Sequence, residues 1–233
     1  MTIDLKDHFI KALKSQPNYS EAHLQLALLY QEEGDIDNTL KHFESAISND
    51  LEEIGKLEAK GDALLKNYQF QNAKKQYTMS QEKKVHCAKA YYLQSIYYNR
   101  LEQNKSAISC LVKCIKMNTA RSEPHRDLGI LFVKLQQLDD ARINLEKALD
   151  CDYSDPISHF YLGKVMMSMN DFDDAELHYM SALDIKPNFS ECILEMALLK
   201  FLNKLDQDAS KYYLEAKEID PSIKHPELEK LIG

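Results

Sequence analysis

The 233-residue chain is 44% hydrophobic and 28% charged, ordinary values for one globular domain or one repeat array. A net charge of −8 works against a nucleic-acid partner. Six Gly and six Pro are too few for the many turns of an all-β fold, and no apolar run approaches the ~18 residues of a membrane span.

Residues 1–19 predict one amphipathic helix with Leu5, Phe9 and Ala12 on one side, closed by Pro17. Its opening, MTIDLKDHFIKALK, alternates charged and apolar residues and lacks a signal-peptide core. From Ser20 the chain falls into a frame of 34 residues that needs no insertion: 20–53, 54–87, 88–121, 122–155, 156–189 and 190–223. Position 8 of the frame is always small: Ala27, Gly61, Ser95, Gly129, Gly163, Ala197. Position 20 reads Thr39, Ala73, Ala107, Ala141, Ala175, Ala209. Position 24 is large, with Phe43, Tyr77, Leu111, Leu145, Tyr179 and Tyr213, and position 27 is small again, from Ala46 to Ala216.

Each frame therefore predicts two helices. Positions 4, 7, 8 and 11 share one stripe of the first, and positions 20, 24 and 27 one stripe of the second. Small residues let the axes approach, and the bulky residue at position 24 fills the space between them. Gly34, Asp35, Asn104, Asn170 and Asp171 suit the turn inside each pair. Pro17, Pro187 and Pro221, all at position 32, stop the second helix. Frame 54–87 fits least, with Lys60 at position 7. The remainder, 224–233, predicts a short capping helix with Leu228, Leu231 and Ile232 inward.

These residues resemble the tetratricopeptide repeat, a 34-residue helix-turn-helix. The stretch HFYLGKVMMSMNDFDDAELHYMSALDIKP, His159 to Pro187, meets its pattern best. The resemblance implies an all-α, right-handed superhelical solenoid over residues 1–233: a partial repeat at 1–19, six repeats, and a cap at 224–233. Position 4, where the family usually has Trp, holds His23, Leu57, Tyr91, His125, His159 and Ile193. Position 7 holds Lys60 and Gln94.

Chemistry is sparse. Five cysteines, an odd number without a CxxC pair, suggest no disulfide framework or zinc site, and the expected setting is reduced and cytoplasmic. His125 and His159 would stand in adjacent repeats, yet no third ligand is placed beside them, so they read as packing residues and no metal is expected. Cys110 and Cys114 lie one helical turn apart and read as core. Asp139, Asp140, Asp173 and Asp174 read as solvated turn residues. With no phosphate loop, GxSxG or HExxH, neither catalysis nor a cofactor is expected.

In the family, the concave side is lined by positions 2, 5, 9, 12 and 13 of the first helices. Here the middle repeats place Lys89, Tyr92, Ile96, Asn99, Arg100, Arg126, Ile130, Lys134, Phe160 and Lys164 there, basic groups interleaved with apolar ones. That mixture suits a protein or peptide partner with acidic and apolar residues. The lysines and asparagines of the family's carboxylate clamp for chaperone tails are not met by any three consecutive repeats. The expected function is a non-enzymatic adaptor that binds a peptide or domain in its groove. The alternatives are a module that self-assembles through its open N-terminal end, or the regulatory repeats of a larger enzyme or assembly complex.

Overall fold

The computed structural model describes residues 2–117 and 120–232. Met1, Gly233 and residues 118–119 of the third frame lie outside the described residues. Among those described there are twelve α-helices and no strand. The chain forms two compact units, Met1–Thr119 and Ala120–Gly233.

A left-handed turn residue recurs every 34 residues: Gly34, Tyr68, Glu102, Gln136, Asn170 and Lys204, with φ between 57° and 76°. Each lies at position 15 of its frame, where the chain reverses between paired helices. Glycine meets this need without strain and asparagine nearly so, but Tyr, Glu, Gln and Lys do not. The turns are closed instead by backbone hydrogen bonds, such as Gln137 N–H to the Phe132 carbonyl at 2.9 Å.

In the second unit, helices alternate with short turns: α6 (Ser122–Lys134), α7 (Leu138–Cys151), α8 (Pro156–Ser168), α9 (Phe172–Ile185), α10 (Ser190–Leu202), α11 (Asp206–Ile219) and α12 (Pro226–Ile232). Each helix packs on the next, and α6, α8 and α10 also touch in series. Asp155 starts α8 by accepting the Ile157 N–H at 3.1 Å, with Pro156 supplying a preset φ at the first helical position. The small-under-large packing is literal. A Cβ added to Gly163 would stand 2.6 Å from Tyr179 Cε1, and one on Gly129 would stand 2.7 Å from Leu145 Cγ. At the end, α12 buries Leu228 against Ala197, Ala209 and Tyr213, with Leu231 and Ile232 partly covered beside it.

The first unit is built differently. It comprises α1 (Thr2–Ser15), α2 (Ser20–Glu33), α3 (Ile36–Lys66), α4 (Phe70–Arg100) and α5 (Asn104–Met117). Helices α3 and α4 each have 31 residues, about 45 Å of continuous helix. They run unbroken through the frame junctions at 53/54 and 87/88. Position 32 there carries Leu51 and Val85 in place of proline, so no backbone donor is removed at either junction.

The second pair therefore projects as an antiparallel arm. Leu24, Phe43, Ile47 and Ile54 pack with Cys87, Tyr91, Tyr97 and Cys110 in one core, joining the first helices of the unit to the last. Between Glu58 and Met79 only Gly61 and Ala73 are buried. The arm holds itself together through the Tyr77 ring over Gly61, the Tyr77 hydroxyl donating to Asp62 at 2.5 Å, and a Lys84–Glu58 pair at 2.6 Å.

Candidate interaction surface

The most open of the expected binding residues lie on α4. Lys89, Tyr92, Ile96, Asn99 and Arg100 fall at helical spacing along one face. Lys89, Asn99 and Arg100 are exposed, while Tyr92 and Ile96 are half-buried. Tyr92 packs at the edge of the core. The stripe is basic at both ends and apolar between.

In the second unit the expected residues divide. Lys134 is exposed and Ile130 half-buried on α6. Arg126 is already engaged: its Nε donates to Asp127 at 3.1 Å and its Nη1 to Asp155 at 3.4 Å. Asp155 is the buried N-cap of α8, so Arg126 ties α6 to α8. Lys164 pairs with Glu195 of α10 at 2.8 Å. Phe160 is 7% exposed, in the core beside Tyr179 and Phe189. These three hold the unit together. Their partners lie far along the chain or on other helices, a relation that spacing within one repeat does not reveal.

The histidines at position 4 pair within their own repeats. His23 Nδ1 meets His42 Nδ1 at 2.8 Å, and His159 Nδ1 meets His178 Nδ1 at 3.2 Å. The outer ring nitrogens of His23 and His159 reach the carbonyls of Pro17 and Tyr153, both at 3.0 Å. The two facing Nδ1 atoms can bond only with one donating and the other accepting. Burial, reinforced by His23, pushes His42 down to about 4, and burial with His159 beside it lowers His178. His125 lies against Asn144 in the equivalent place. Both ring nitrogens of His159 are thus used without His125, and no cluster of three metal-ligating residues occurs among the described residues.

One ionic cluster has no counterpart in the repeat pattern. His86 of α4 bridges Asp50 of α3 and Glu21 of α2, the latter at 2.7 Å, with Lys83 3.7 Å from Asp50. Asp50 is fully buried. Its carboxylate, aided by Glu21, holds the His86 imidazolium above the usual histidine range against the opposing effect of burial. The adjacent Cys87 thiol is buried and pushed up to about 12, so no nucleophile accompanies the cluster, which serves as a latch at the base of the arm. A cavity of roughly 530 Å³ opens between α3 and α5, floored by Tyr91, Gln94 and Tyr98. Burial lifts the Cys110 thiol there to about 11, and it donates to Gln94 at 3.3 Å, again without an activating base.

Tetratricopeptide repeat profiles match residues 20–52, 88–121 and 126–188, together more than half of the chain. The chain belongs to the tetratricopeptide repeat family. No protein of curated function matches it. Among solved structures, this tetratricopeptide repeat protein is similar to YrrB, described as a TPR protein with an unusual peptide-binding site. The two share 16% identity over 92% of this chain and 93% of that one, with a TM-score of 0.65. MamA shares 18% identity over 87% and 92%, TM-score 0.63. PilF of Pseudomonas aeruginosa shares 15% over 91% and 96%, TM-score 0.55. At such identities the likeness is one of fold. No described helix of the tetratricopeptide repeat protein is long and apolar enough to cross a membrane.

Proposed function

We propose that the protein is a non-enzymatic interaction scaffold that holds an extended peptide with acidic and apolar residues. The contact is assigned to the α4 face of the first unit, with Lys134 and Ile130 offering a smaller surface of the same kind in the second. The observation that carries this reading is the stripe Lys89–Tyr92–Ile96–Asn99–Arg100, open and mixed in character on an otherwise acidic protein. Arg100 can grip a carboxylate with two donors, and Lys89 supplies a point charge about 16 Å away along the helix. Tyr92 and Ile96 between them offer apolar contact. A relative of similar fold that carries a peptide-binding site supports the class of ligand.

The test takes the partner found by affinity capture and mass spectrometry and titrates it calorimetrically against the parent and a Lys89→Glu/Arg100→Glu variant. Neither side chain is held in a described ion pair, so the fold should survive. Binding should weaken at least tenfold, and the loss should shrink as salt rises. Equal affinity of variant and parent at low salt would move the site elsewhere.

A further inference from the structure

The apex of the arm is a second surface of a different kind. Residues 67–69 join α3 to α4, and around them Tyr68 is 81% exposed, Phe70 60% and Leu65 41%. The two rings meet edge to face, with centroids 6.4 Å apart. Of the six left-handed turn residues Tyr68 is the one aromatic, at a backbone conformation that costs a bulky side chain. Lone exposed apolar residues are common, but three together on a projecting tip are not.

The charge around them is as uneven. Lys60, Lys66, Lys74 and Lys75 surround the arm, while Asp62 is its one carboxylate in that stretch, and none occurs between it and Glu82. None of the four lysines is held in an ion pair among the described residues, whereas Lys56, Lys83 and Lys84 nearer the base all are. Lys66, Lys74 and Lys75 sit about one helical turn behind the aromatic tip, and Lys60 about two. Adjacent helical positions diverge by about 100°, so these cations ring the arm rather than line one side. The tip reaches roughly 15 Å beyond Leu57 and Ser80, its last buried anchors towards the base.

We propose that this apex docks on an anionic lipid surface, with Tyr68, Phe70 and Leu65 entering the interface and the lysine collar resting on the headgroups. Convexity favours lipid over protein. A prong with aromatic knobs needs a matching socket on a folded partner, whereas a bilayer interface yields around it. Aromatic rings prefer that interface, and lysines extend their charges to headgroup level. Attraction of about four cations with shallow apolar insertion gives reversible attachment rather than anchoring.

The experiment exploits the absence of tryptophan from this chain. Phe70→Trp places a single indole at the apex. With vesicles of phosphatidylcholine and phosphatidylserine in about a two-to-one ratio, its emission should shift to the blue and the protein should float with the vesicles. With pure phosphatidylcholine it should do neither at physiological salt. Lys66→Gln/Lys74→Gln/Lys75→Gln should weaken binding about 100-fold, taking about 1 kcal/mol per cation near such a surface. In the tryptophan-free parent, Tyr68→Asn/Phe70→Gln should abolish flotation while leaving the helical circular dichroism unchanged, since asparagine tolerates the left-handed turn. No flotation of the parent, or flotation equal in all variants, would overturn the assignment. A blue shift that appears on concentrating the protein without lipid would overturn it too, showing that the apex meets another copy.

Discussion

Three glycines offer a graded test of how the paired helices are packed. At Gly163 a Cβ would stand 2.6 and 2.7 Å from two Tyr179 ring carbons and 3.2 Å from the Ala175 carbonyl oxygen. Carbon pairs settle at about 3.5–4.0 Å, so the ring must retreat by about 1 Å. It has nowhere to go: Tyr179 is fully buried, stands against Phe160 and directs its hydroxyl at Met167. Overpacking of this kind costs about 1–3 kcal/mol, and alanine returns about 1 kcal/mol of helix propensity. Gly163→Ala should therefore destabilise by up to about 2 kcal/mol, a few degrees in Tm at this chain length. Gly61 meets Tyr77 at 2.8 Å, but that ring is half-exposed at the arm surface and can shift more easily, so Gly61→Ala should cost less than Gly163→Ala. Gly55 meets nothing within 4 Å in mid-helix, and Gly55→Ala should stabilise by about 0.5–1 kcal/mol. Thermal and urea melts followed by circular dichroism give the order. If Gly163→Ala melts at or above the parent, the close approach of α8 and α9 is not what position 8 protects.

Other outcomes follow from the same geometry. His42, held at about 4, and His178, also lowered, favour the neutral form, so their contribution is complete above about pH 6.5 and is lost as pH falls towards 4. His42→Asn/His178→Asn, which copies Asn144, should flatten the fall in urea midpoint between pH 7 and pH 5; an unaltered slope would place acid sensitivity elsewhere. His86 has the opposite sign: its contribution is full below about pH 6.5 and fades as pH rises through its raised value. His86→Leu should cost about 3 kcal/mol at pH 6, where it strands the buried Asp50, and clearly less at pH 9; an equal loss at both would mean that the imidazolium charge is idle. Gln136→Gly should raise Tm by relieving a left-handed residue at φ 58°, a gain of about 0.5–1 kcal/mol, and a lower Tm would contradict the strain.

The parts of the fold legible in the sequence were those governed by contacts inside one repeat. Gly163 lies under Tyr179 because positions 8 and 24 face each other across one helix pair, and a fixed frame exposes such pairs. The turn region was visible, but its left-handed residue was not, since Tyr68, Glu102, Gln136 and Lys204 carry no turn signature. The arm left two traces: missing prolines at Leu51 and Val85, and Lys60 where an inward residue belongs. Neither said that two junctions would become continuous helix, because that depends on neighbours competing for the same core. For the candidate surface, the family's lining positions pointed to residues that share one face of α4. Those positions could not tell that Arg126 answers to Asp155, or that His86 gathers carboxylates from two other helices, as those contacts close across the tertiary fold.

Helix α4 begins with Phe70 at the apex and ends with Arg100 in the stripe, without a break. It is a lever about 45 Å long, pivoted where His86 clips it to Asp50 and Glu21. A tilt of about ten degrees at that pivot would sweep Phe70 one way by about 4 Å and Arg100 the other by nearly as much. A load that tilted the apex would therefore displace the stripe at the other end as well.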